Sequence, residues 1–375
     1  MKEVSSEMEE VHGEMKEVRS VGSKQSHISV LISYLSLLLI TLTCFADLVH
    51  AQSGGSSGAY TRMGFGPRGM GMGNAIASVT QQGIYAHYNP ALAASATGNQ
   101  IDMASAAMRF DRSLHTLNAT FKLPPSAGLN VGLLNANVTN IDGRSQSGYH
   151  TDYLSTHEFQ AFAAFGLQVS QRVHLGVGVK AYMADFHEDL SNATGAGFDI
   201  GLLIKPANNI QIGLSAQDIL AAYRWDTSDL YGTQSARNRT DHFPTRFKIA
   251  ASWLSGNERL VISSEFEIRR LKSETIQRSA FTDLNPPQNR RLIENIITSS
   301  NIARVGASYL AHERITVRGG WQMGDLDIIA DSHKPSAGFS VHLPFDKFQP
   351  SVDYAFVREP TGIANMHVFA LRLKI

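Results

Sequence analysis

Alternation of apolar and polar residues with a period of two, repeated along most of the chain, constrains the fold of this sequence most strongly. Between residues 173 and 183 every second residue is apolar, and the residues between them include His174, Lys180 and Tyr182. Because successive side chains of a strand point to opposite faces, this pattern predicts a strand with one apolar and one polar face. About fourteen such segments are recognisable, at roughly 100–111, 114–123, 128–138, 156–170, 173–186, 195–205, 209–222, 244–254, 258–269, 302–312, 313–322, 335–344, 347–358 and 363–375.

The lengths of these segments and of their connections favour a closed barrel. Most segments have about 10–14 residues, which exceeds the norm for soluble sheets and is enough for a tilted strand to cross a membrane. Short turns (124–127, 171–172, 206–208, 255–257, 312–313, 345–346) alternate with longer polar loops (139–155, 187–194, 223–243, 270–301, 323–334). Short turns on one rim and long loops on the other are typical of outer-membrane barrels. We therefore predict an all-β fold, a transmembrane antiparallel β-barrel of about 14 strands over residues 100–375.

Charged residues in the middle of the polar faces disfavour the alternative, a soluble exported β-sandwich. A barrel lumen tolerates such charges, and opposite charges on neighbouring strands pair across a ladder. A lumenal salt-bridge network is therefore a better prediction than a selectivity filter. The residues predicted to face the lumen are Lys180, Arg246, Lys248, Glu265, Glu267, Arg304, Arg318 and Asp353.

Composition excludes several classes of function. The 33 basic residues balance the 33 acidic ones, so the chain lacks the basic surplus that nucleic-acid binding requires. A single cysteine rules out a disulfide framework and a cysteine-rich zinc site. The 14 histidines include no H-E-x-x-H pair. We therefore predict no metal site, no cofactor and no nucleic-acid partner.

The N-terminal region predicts export. The apolar run at 28–42 is too short for a comfortable membrane span, and it is followed by Val49-His50-Ala51, which suits signal-peptide cleavage after Ala51. Residues 1–51 are thus predicted to be a signal peptide, with a membrane anchor as the alternative. The MKEV sequence occurs at Met1 and again at Met15, and initiation at Met15 gives a normal positive leader.

A glycine-rich segment without alternation, residues 52–99, separates the signal peptide from the barrel. It contains R-G-M-G-M-G-N-A, and about fifteen residues later Asn89-Pro90-Ala91. Glycine permits close approach of backbones, and Asn before Pro favours a turn. A segment of this kind ahead of a barrel is expected to sit in the lumen. The motif residues are Arg68, Gly69, Gly71, Gly73, Asn74, Asn89, Pro90 and Ala91.

These two motifs resemble the N-terminal signature of FadL-type outer-membrane proteins of the FadL/TodX superfamily, most closely its PorV/PorQ branch. The resemblance implies a fourteen-stranded barrel whose N-terminal segment folds inward as a hatch. FadL members carry hydrophobic molecules across the outer membrane. PorV and PorQ members take part in type IX protein secretion in Bacteroidota-like bacteria.

Two functions follow as hypotheses. The first is passive transport of a hydrophobic small molecule, held in a lumenal pocket near apolar residues such as Leu203, Phe162 and Phe110 and released through a gap. The alternative is a PorV/PorQ-like component of protein secretion, whose partners dock on the long loop 270–301, with a short helix at 289–298. Both place the protein in the outer membrane, in contact with lipid.

An outer-membrane enzyme is a remote third hypothesis. Its candidate residues lie in the predicted loops, without a spacing that ties a nucleophile to a base. They are His150, Asp152, His157, His187, Asp189, Asp241 and His242. The G-x-S-x-G match at 54–58 lacks the strand and helix that a nucleophile elbow needs.

Overall fold

Sixteen antiparallel strands form a single sheet in the computed structural model, which describes residues 56–81, 83–188, 190–226, 239–281, 288–324, 333–343, 345, 349–359 and 364–374. The first nine strands are β1 (Gln100–Ala107), β2 (Arg112–Leu123), β3 (Ala127–Arg144), β4 (His150–Ser170), β5 (Val173–Asp185), β6 (Ala193–Ala207), β7 (Ile210–Ile219), β8 (Ala222–Trp225) and β9 (Arg239–His242). The other seven are β10 (Thr245–Leu254), β11 (Leu260–Phe281), β12 (Gln288–His312), β13 (Ile315–Met323), β14 (His333–His342), β15 (Ser351–Arg358) and β16 (Asn365–Lys374). The predicted signal peptide lies outside the described residues.

Fourteen of these strands close into a cylinder. β1 pairs with β16 from Gln100↔Lys374 to Ala107↔His367, and β5 pairs with β6, so the sheet returns on itself. β8 and β9 pair with each other outside the cylinder's ladder, and in the described part of the chain Thr194↔Arg224 is the pairing that joins them to β6. The prediction of a closed, antiparallel fourteen-stranded barrel is therefore confirmed. Within the cylinder, closure gives each of the fourteen strands a hydrogen-bonded neighbour on both sides.

The barrel has two unlike rims. The end that holds the start of β1 and the end of β16 is here called the turn rim, because the connections there include residues 171–172 and 313–314. The opposite end is called the loop rim. At the loop rim, β11 and β12 have 22 and 25 residues and extend beyond their neighbours, because in the described structure residues 271–281 of β11 and residues 288–298 of β12 pair only with each other.

The two faces of each strand differ in polarity, and the polar face is the buried one. In β5 the apolar Val177 and Val179 are 58 % and 53 % exposed, whereas Lys180, the next residue on the opposite face, is 4 % exposed. This order is the reverse of that in a soluble sheet and matches a barrel with an apolar outside and a polar inside. Among the described residues, no helix is long and apolar enough to cross a membrane.

A carboxylate on the outward face should weaken the barrel. Val179 lies at the middle of β5 and faces outward, so Val179→Glu is expected to cost about 1–2 kcal/mol, since acidic residues on a lipid face cost less than the ~2–4 kcal/mol of Arg or Lys. Urea unfolding of barrels in lipid vesicles measures this cost. Tyr149→Glu, at an exposed position between β3 and β4, is the matched control and should change the free energy of unfolding little. Equal effects of the two variants would contradict an apolar environment around β5.

Three details of the sequence-based prediction were wrong. Residues 289–298 are strand within β12 and not a helix, because they continue the ladder with β11 as far as Phe281↔Gln288. The predicted loop at 223–243 contains most of β8 and all of β9. Phe110 does not face the lumen, because β1 ends at Ala107 and Phe110, with φ 61°, is 67 % exposed in the connection to β2.

Candidate functional site

Residues 56–81 and 83–98, here called the leading segment, lie among the inward-facing side chains of the barrel. The segment contains two 3₁₀ turns, Ala59–Arg62 and Pro90–Ser95, and one short helix, α1 (Pro67–Gly71). Its hydrogen-bond partners come from strands all around the cylinder. They include Ser336 of β14, Glu265 of β11, Gln211 of β7, His174 of β5, Asn130 of β3 and Arg372 of β16.

Glycines on the inner face of the barrel allow the segment's backbone to lie directly against the wall. A Cβ on Gly176 would be 2.2 Å from the Ala91 nitrogen, and one on Gly320 would be 2.1 Å from the Gly73 nitrogen. No real Cβ approaches a backbone atom this closely, so only glycine is accommodated without a shift. The same holds for glycines on four more strands, namely Gly128, Gly166, Gly213 and Gly306, and a Cβ on Gly201 of β6 would be 2.0 Å from Asn89 Oδ1.

Arg68 connects α1 to the barrel through a buried ion pair. Its Nε donates to Asp353 Oδ2 at 2.9 Å, and its Nη2 donates to Asp353 Oδ1 at 3.2 Å and to Ser351 Oγ at 2.9 Å. This two-point contact between guanidinium and carboxylate is the strong form of a charged hydrogen bond. Nearby, Arg372 pairs with Asp102 and donates to Tyr85 Oη of the leading segment at 2.7 Å. The sequence analysis had placed Arg68 and Asp353 in separate sets, and the structure brings them together.

The Asn89-Pro90-Ala91 motif caps the second 3₁₀ turn and attaches it to β6. Asn89 Oδ1 accepts from the Ala91 nitrogen at 3.0 Å, and Asn89 Nδ2 donates to the Ala77 carbonyl at 2.9 Å and the Leu202 carbonyl at 3.3 Å. Pro90 occupies the first position of the turn, where a missing N–H costs nothing. Ala91 is fully buried against Gly176.

The Arg68-to-Asn74 motif ends in a left-handed turn. Gly73 and Asn74 have φ 64° and 62°, which glycine and asparagine tolerate best. Asn74 Oδ1 accepts from Tyr88 Oη at 2.7 Å. Gly69 lies against the same ring, because a Cβ there would be 2.5 Å from Tyr88 Oη. Gly71 faces Gly338 of β14, at ordinary contact distance.

One side of the lumen, here called the charged wall, is formed by β5 to β7 and β10 to β12. Lys180 lies 2.7 Å from Asp199 and 2.8 Å from Asp218, and Arg246 Nε lies 2.7 Å from the other oxygen of Asp218. A second cluster joins Arg304 to Glu265 at 2.7 Å and to Glu267 at 2.9 Å, with Lys248 at 3.7 Å from both carboxylates. Arg269 also pairs with Glu267. Buried charges in such sites are tolerated because they are paired and hydrogen-bonded.

The eight residues predicted to face the lumen all lie on inward faces and are at most 6 % exposed. Six of them, Lys180, Arg246, Lys248, Glu265, Glu267 and Arg304, belong to the two charged clusters, and Asp353 holds Arg68. Arg318 lies apart from those clusters and donates to Ser340 Oγ at 2.6 Å.

The other side of the lumen carries an inward apolar patch towards the loop rim, here called the apolar wall. The strands β15, β16, β1, β2 and β3 are consecutive around the barrel. Between the level of Asp353 and Asp102 and the loop rim, the inward residues of these strands are apolar. They are Ala355, Val357, Met366, Val368, Ala106, Leu114 and Leu134. These residues form one cluster with Phe65, Met70 and Met72 of the leading segment. Phe162 of β4 joins this cluster. Leu203 also faces inward, in a separate cluster with Leu92.

Burial among cations keeps a histidine of the leading segment neutral. His87 is 2 % exposed, stacks on Phe65 at 4.9 Å and contacts the Thr61 carbonyl through Nε2 at 3.2 Å. Burial, together with Lys180 and the other nearby cations of the charged wall, holds the pKa of His87 well below its usual value. Burial likewise raises the pKa of Tyr85 to about 12.

Docking of the leading segment should therefore weaken in acid. Because the pKa of His87 is depressed when it is docked and ordinary when the chain is unfolded, its contribution is complete above about pH 6.5 and is lost as the pH falls below that value. Between pH 7.5 and 5.0 the loss should reach about 2 kcal/mol. Urea unfolding of the wild-type protein and of His87→Gln at both pH values measures it. The stability difference between the two proteins should shrink in acid by that amount, and a constant difference would refute the assignment.

The residues that would serve an enzyme do not converge on one described site. His150 Nδ1, at the exposed start of β4, lies 2.6 Å from Asp142 near the end of β3, and His157 stacks beside Phe159. Asp241 and His242 belong to β9, and Asp189 lies outside the described residues. Among the described residues, no group of three His, Cys, Asp or Glu side chains could hold a metal ion.

The sequence analysis missed the role of the glycines on the inner face of the barrel, and it did not name Asp199 and Asp218 as the partners of Lys180 and Arg246. Gly176, Gly201 and Gly213 occur at polar-face positions of their strands, where a lumen would normally hold a side chain. Their place on the polar face of the alternating pattern was the signal available in the sequence. Asp218, which anchors the Lys180 and Arg246 cluster, lies near the end of β7 with φ 56°, so it departs from the alternation.

Comparison with known proteins finds similarity in fold. No family model and no curated protein matches the chain. The Pseudomonas putida toluene transporter TodX matches at 14 % identity over 83 % of this chain and 96 % of that chain, with a TM-score of 0.53. The CymD monoaromatic hydrocarbon channel matches at 12 % identity over 83 % and 96 %, with a TM-score of 0.54. A Pseudomonas aeruginosa FadL homologue matches at 11 % identity over 82 % and 97 %, with a TM-score of 0.53. This chain therefore shares the barrel fold of the FadL and TodX type.

Proposed function

We propose that this protein is an outer-membrane channel through which hydrophobic small molecules pass without energy coupling, and that residues 52–99 act as its hatch. The observation that carries the proposal is the apolar wall. In a lumen whose opposite side is filled with paired charges, five adjacent strands present apolar side chains inward. Transfer of an apolar ligand onto such a surface is favourable by about 25 cal/mol per Å² of buried area.

The leading segment covers that surface at present. Phe65, Met70 and Met72 pack against the apolar wall and are at most 1 % exposed. In the described residues, hydrogen bonds join every neighbouring pair of barrel strands. The register shifts at a few bulges, such as the one between Phe198 and Ile200 of β6 where it pairs with β7. Passage of a ligand therefore requires the leading segment to move, and methionine suits a surface that must repack against different ligands.

The outer membrane is the location that fits an apolar exterior around a polar interior, and it fits a chain whose fold is shared with TodX and CymD. We further propose that residues 1–51 direct export and are removed. An N-terminal sequence of the protein isolated from outer membranes, beginning at Gln52, would support this proposal.

Uptake measurements test the transport function. A strain lacking the protein should take up toluene or oleate more slowly than the complemented strain, and Leu134→Gln should reduce uptake about tenfold, because it places an amide on the apolar wall. The matched control is Leu133→Gln, whose side chain is 52 % exposed on the outward face of the same strand. Expression is equalised by immunoblot. Unchanged uptake of several compound classes after deletion would refute transport.

A role in protein secretion of the PorV/PorQ kind is the second candidate. It is supported by the motifs at Arg68 and Asn89 and by the paired ribbon of β11 and β12 beyond the loop rim, which offers a docking surface. Purification in mild detergent should then recover secretion proteins, and deletion should abolish export of their cargo. Normal export without any partner would exclude this role.

A further inference from the structure

A depression of about 560 Å³, here called the outer groove, lies on the outward face of the barrel across β16, β1, β2 and β3. Two rows of outward side chains, paired in register from strand to strand, line it. The row nearer the turn rim is apolar and consists of Leu371, Met103, Leu117 and Leu133. The row nearer the loop rim consists of Phe369, Ser105, His115 and Asn135. The outer groove is therefore apolar at one end and largely polar at the other.

Polar side chains in the second row are confined to β1, β2 and β3. Beyond β16 the row continues with Tyr354 of β15 and Phe339 of β14. Beyond β3 it continues with Phe159 of β4 and Met183 of β5. The polar stretch thus lies between apolar and aromatic residues on both sides, and it is not simply the edge of the apolar belt around the barrel. A polar group that faces hydrocarbon is costly unless it finds a hydrogen-bond partner.

The polar end of the outer groove carries hydrogen-bonding atoms that the protein does not use. Ser113 Oγ lies 3.1 Å from His115 Nε2, and Asn135 Nδ2 donates to the Glu158 carbonyl at 3.3 Å. Among the described residues, His115 Nδ1, Asn135 Oδ1 and Ser105 Oγ have no such partner. Their side chains line the same depression, so one ligand in it can donate to Asn135 and accept from the Ser105 hydroxyl.

The form of the outer groove fits one acyl chain. Its volume is that of a small-molecule site, and it spans four strands, which the broad outward face of a second barrel cannot fill. Ala104 and Ala370 also line it, and both are small and point inward, so a chain can lie against the backbone between the two rows.

We propose that the outer groove holds one acyl lipid of the outer leaflet. Its hydrocarbon chain lies along the apolar row, and the amide or hydroxyl groups at the head of that chain bond to Ser105, His115 and Asn135. Barrels of this kind have short periplasmic turns and longer external loops, so the polar end of the groove is directed towards the outer leaflet. The inference rests on the proposed location in the outer membrane and is independent of transport.

Native mass spectrometry of the full barrel, released from nanodiscs that contain lipid A and phosphatidylethanolamine, tests this site. One lipid A should stay bound under activation that removes phosphatidylethanolamine, because its acyl chains begin with amide and hydroxyl groups. His115→Leu and Asn135→Leu should each lower the retained fraction about fivefold, as the loss of one hydrogen bond predicts. Ser105→Phe, which places a ring in the groove, should abolish retention. The matched control is His367→Leu, at an exposed outward position of β16 that does not line the groove.

Four results would overturn the assignment. Equal retention of the two lipids would exclude recognition of amide and hydroxyl groups, and wild-type retention in both His115→Leu and Asn135→Leu would exclude the polar row. Equal loss of lipid A in His367→Leu would show that retention does not depend on the groove. A lipid-free dimer that Ser105→Phe abolishes would show that a second copy covers the groove instead. Heat-sensitive gel mobility verifies that each variant is folded, while membrane fractionation tests the location and toluene uptake tests the channel separately.

Discussion

Replacing Gly176 by alanine is expected to dislodge the second 3₁₀ turn of the leading segment and to open the lumen. The added Cβ would lie 2.2 Å from the Ala91 nitrogen and 2.3 Å from the Pro90 carbonyl carbon, and neither backbone atom can yield in place. Forcing atoms into a packed interior costs about 1–3 kcal/mol or more. Because undocking relieves this strain, the variant should admit small hydrophilic solutes that the wild type excludes. Swelling of proteoliposomes in sugar solutions measures the leak.

Gly178 provides the matched control on the same strand. It also faces inward, but a Cβ there would meet Asp199 Cβ at 3.4 Å, without touching the leading segment. Gly178→Ala should therefore swell like the wild type. Equal leakage in the two variants, or none in Gly176→Ala, would show that contact between the segment and the wall does not close the lumen.

Replacing Asp353 by alanine should have the largest effect on stability. The substitution removes both carboxylate hydrogen bonds of Arg68, whose side chain is 6 % exposed, and leaves a buried guanidinium without its anion. Removing one partner of a buried ion pair typically costs about 3–5 kcal/mol. Urea unfolding in vesicles should register this loss, and the leading segment should become accessible to proteases.

A double variant separates loss of the pair from loss of one partner. Because Arg68→Ala together with Asp353→Ala removes both charges, its cost should be well below the sum of the two single variants. Asp142→Ala breaks an exposed pair with Arg144 and should change the free energy of unfolding little. Strict additivity of the Arg68 and Asp353 variants would contradict the contact.

The strands of the barrel could be predicted from the sequence because their signal is local. In β5, two alternating faces are visible within thirteen residues, and the barrel's inside-out polarity follows from mid-strand charges such as Lys180. Closure then follows from the number and length of such segments. The same local rule failed at 289–298, where the residues lack a clean alternation and a short helix was predicted. There, pairing with β11 determines the conformation, and that pairing is not visible in either segment alone.

The contacts that position the leading segment could not be predicted, because they join residues far apart in the chain. Arg68 and Asp353 are separated by 285 positions, and nothing near either residue identifies the other. The glycines on the inner face of the barrel present the same difficulty. Gly176 has the appearance of an ordinary strand residue until Ala91 is placed against it. Both motifs of the segment were recognised as patterns, but their roles as a cap at Asn89 and an ion pair at Arg68 required the closed barrel.

Cross-linking in native outer membranes tests most directly whether the leading segment is docked inside the barrel. Thr80 Oγ1 and the Gln211 amide lie 3.1–3.3 Å apart, so cysteines at these two positions, in a Cys44→Ser background, should be bridged by dibromobimane and become fluorescent. A cysteine at Ile212, the next residue on β7, faces outward and should not be bridged to position 80. Fluorescence from the 80/211 pair alone is the predicted result. Absence of that fluorescence in folded protein, or equal fluorescence from the 80/212 pair, would contradict a segment held within the cylinder.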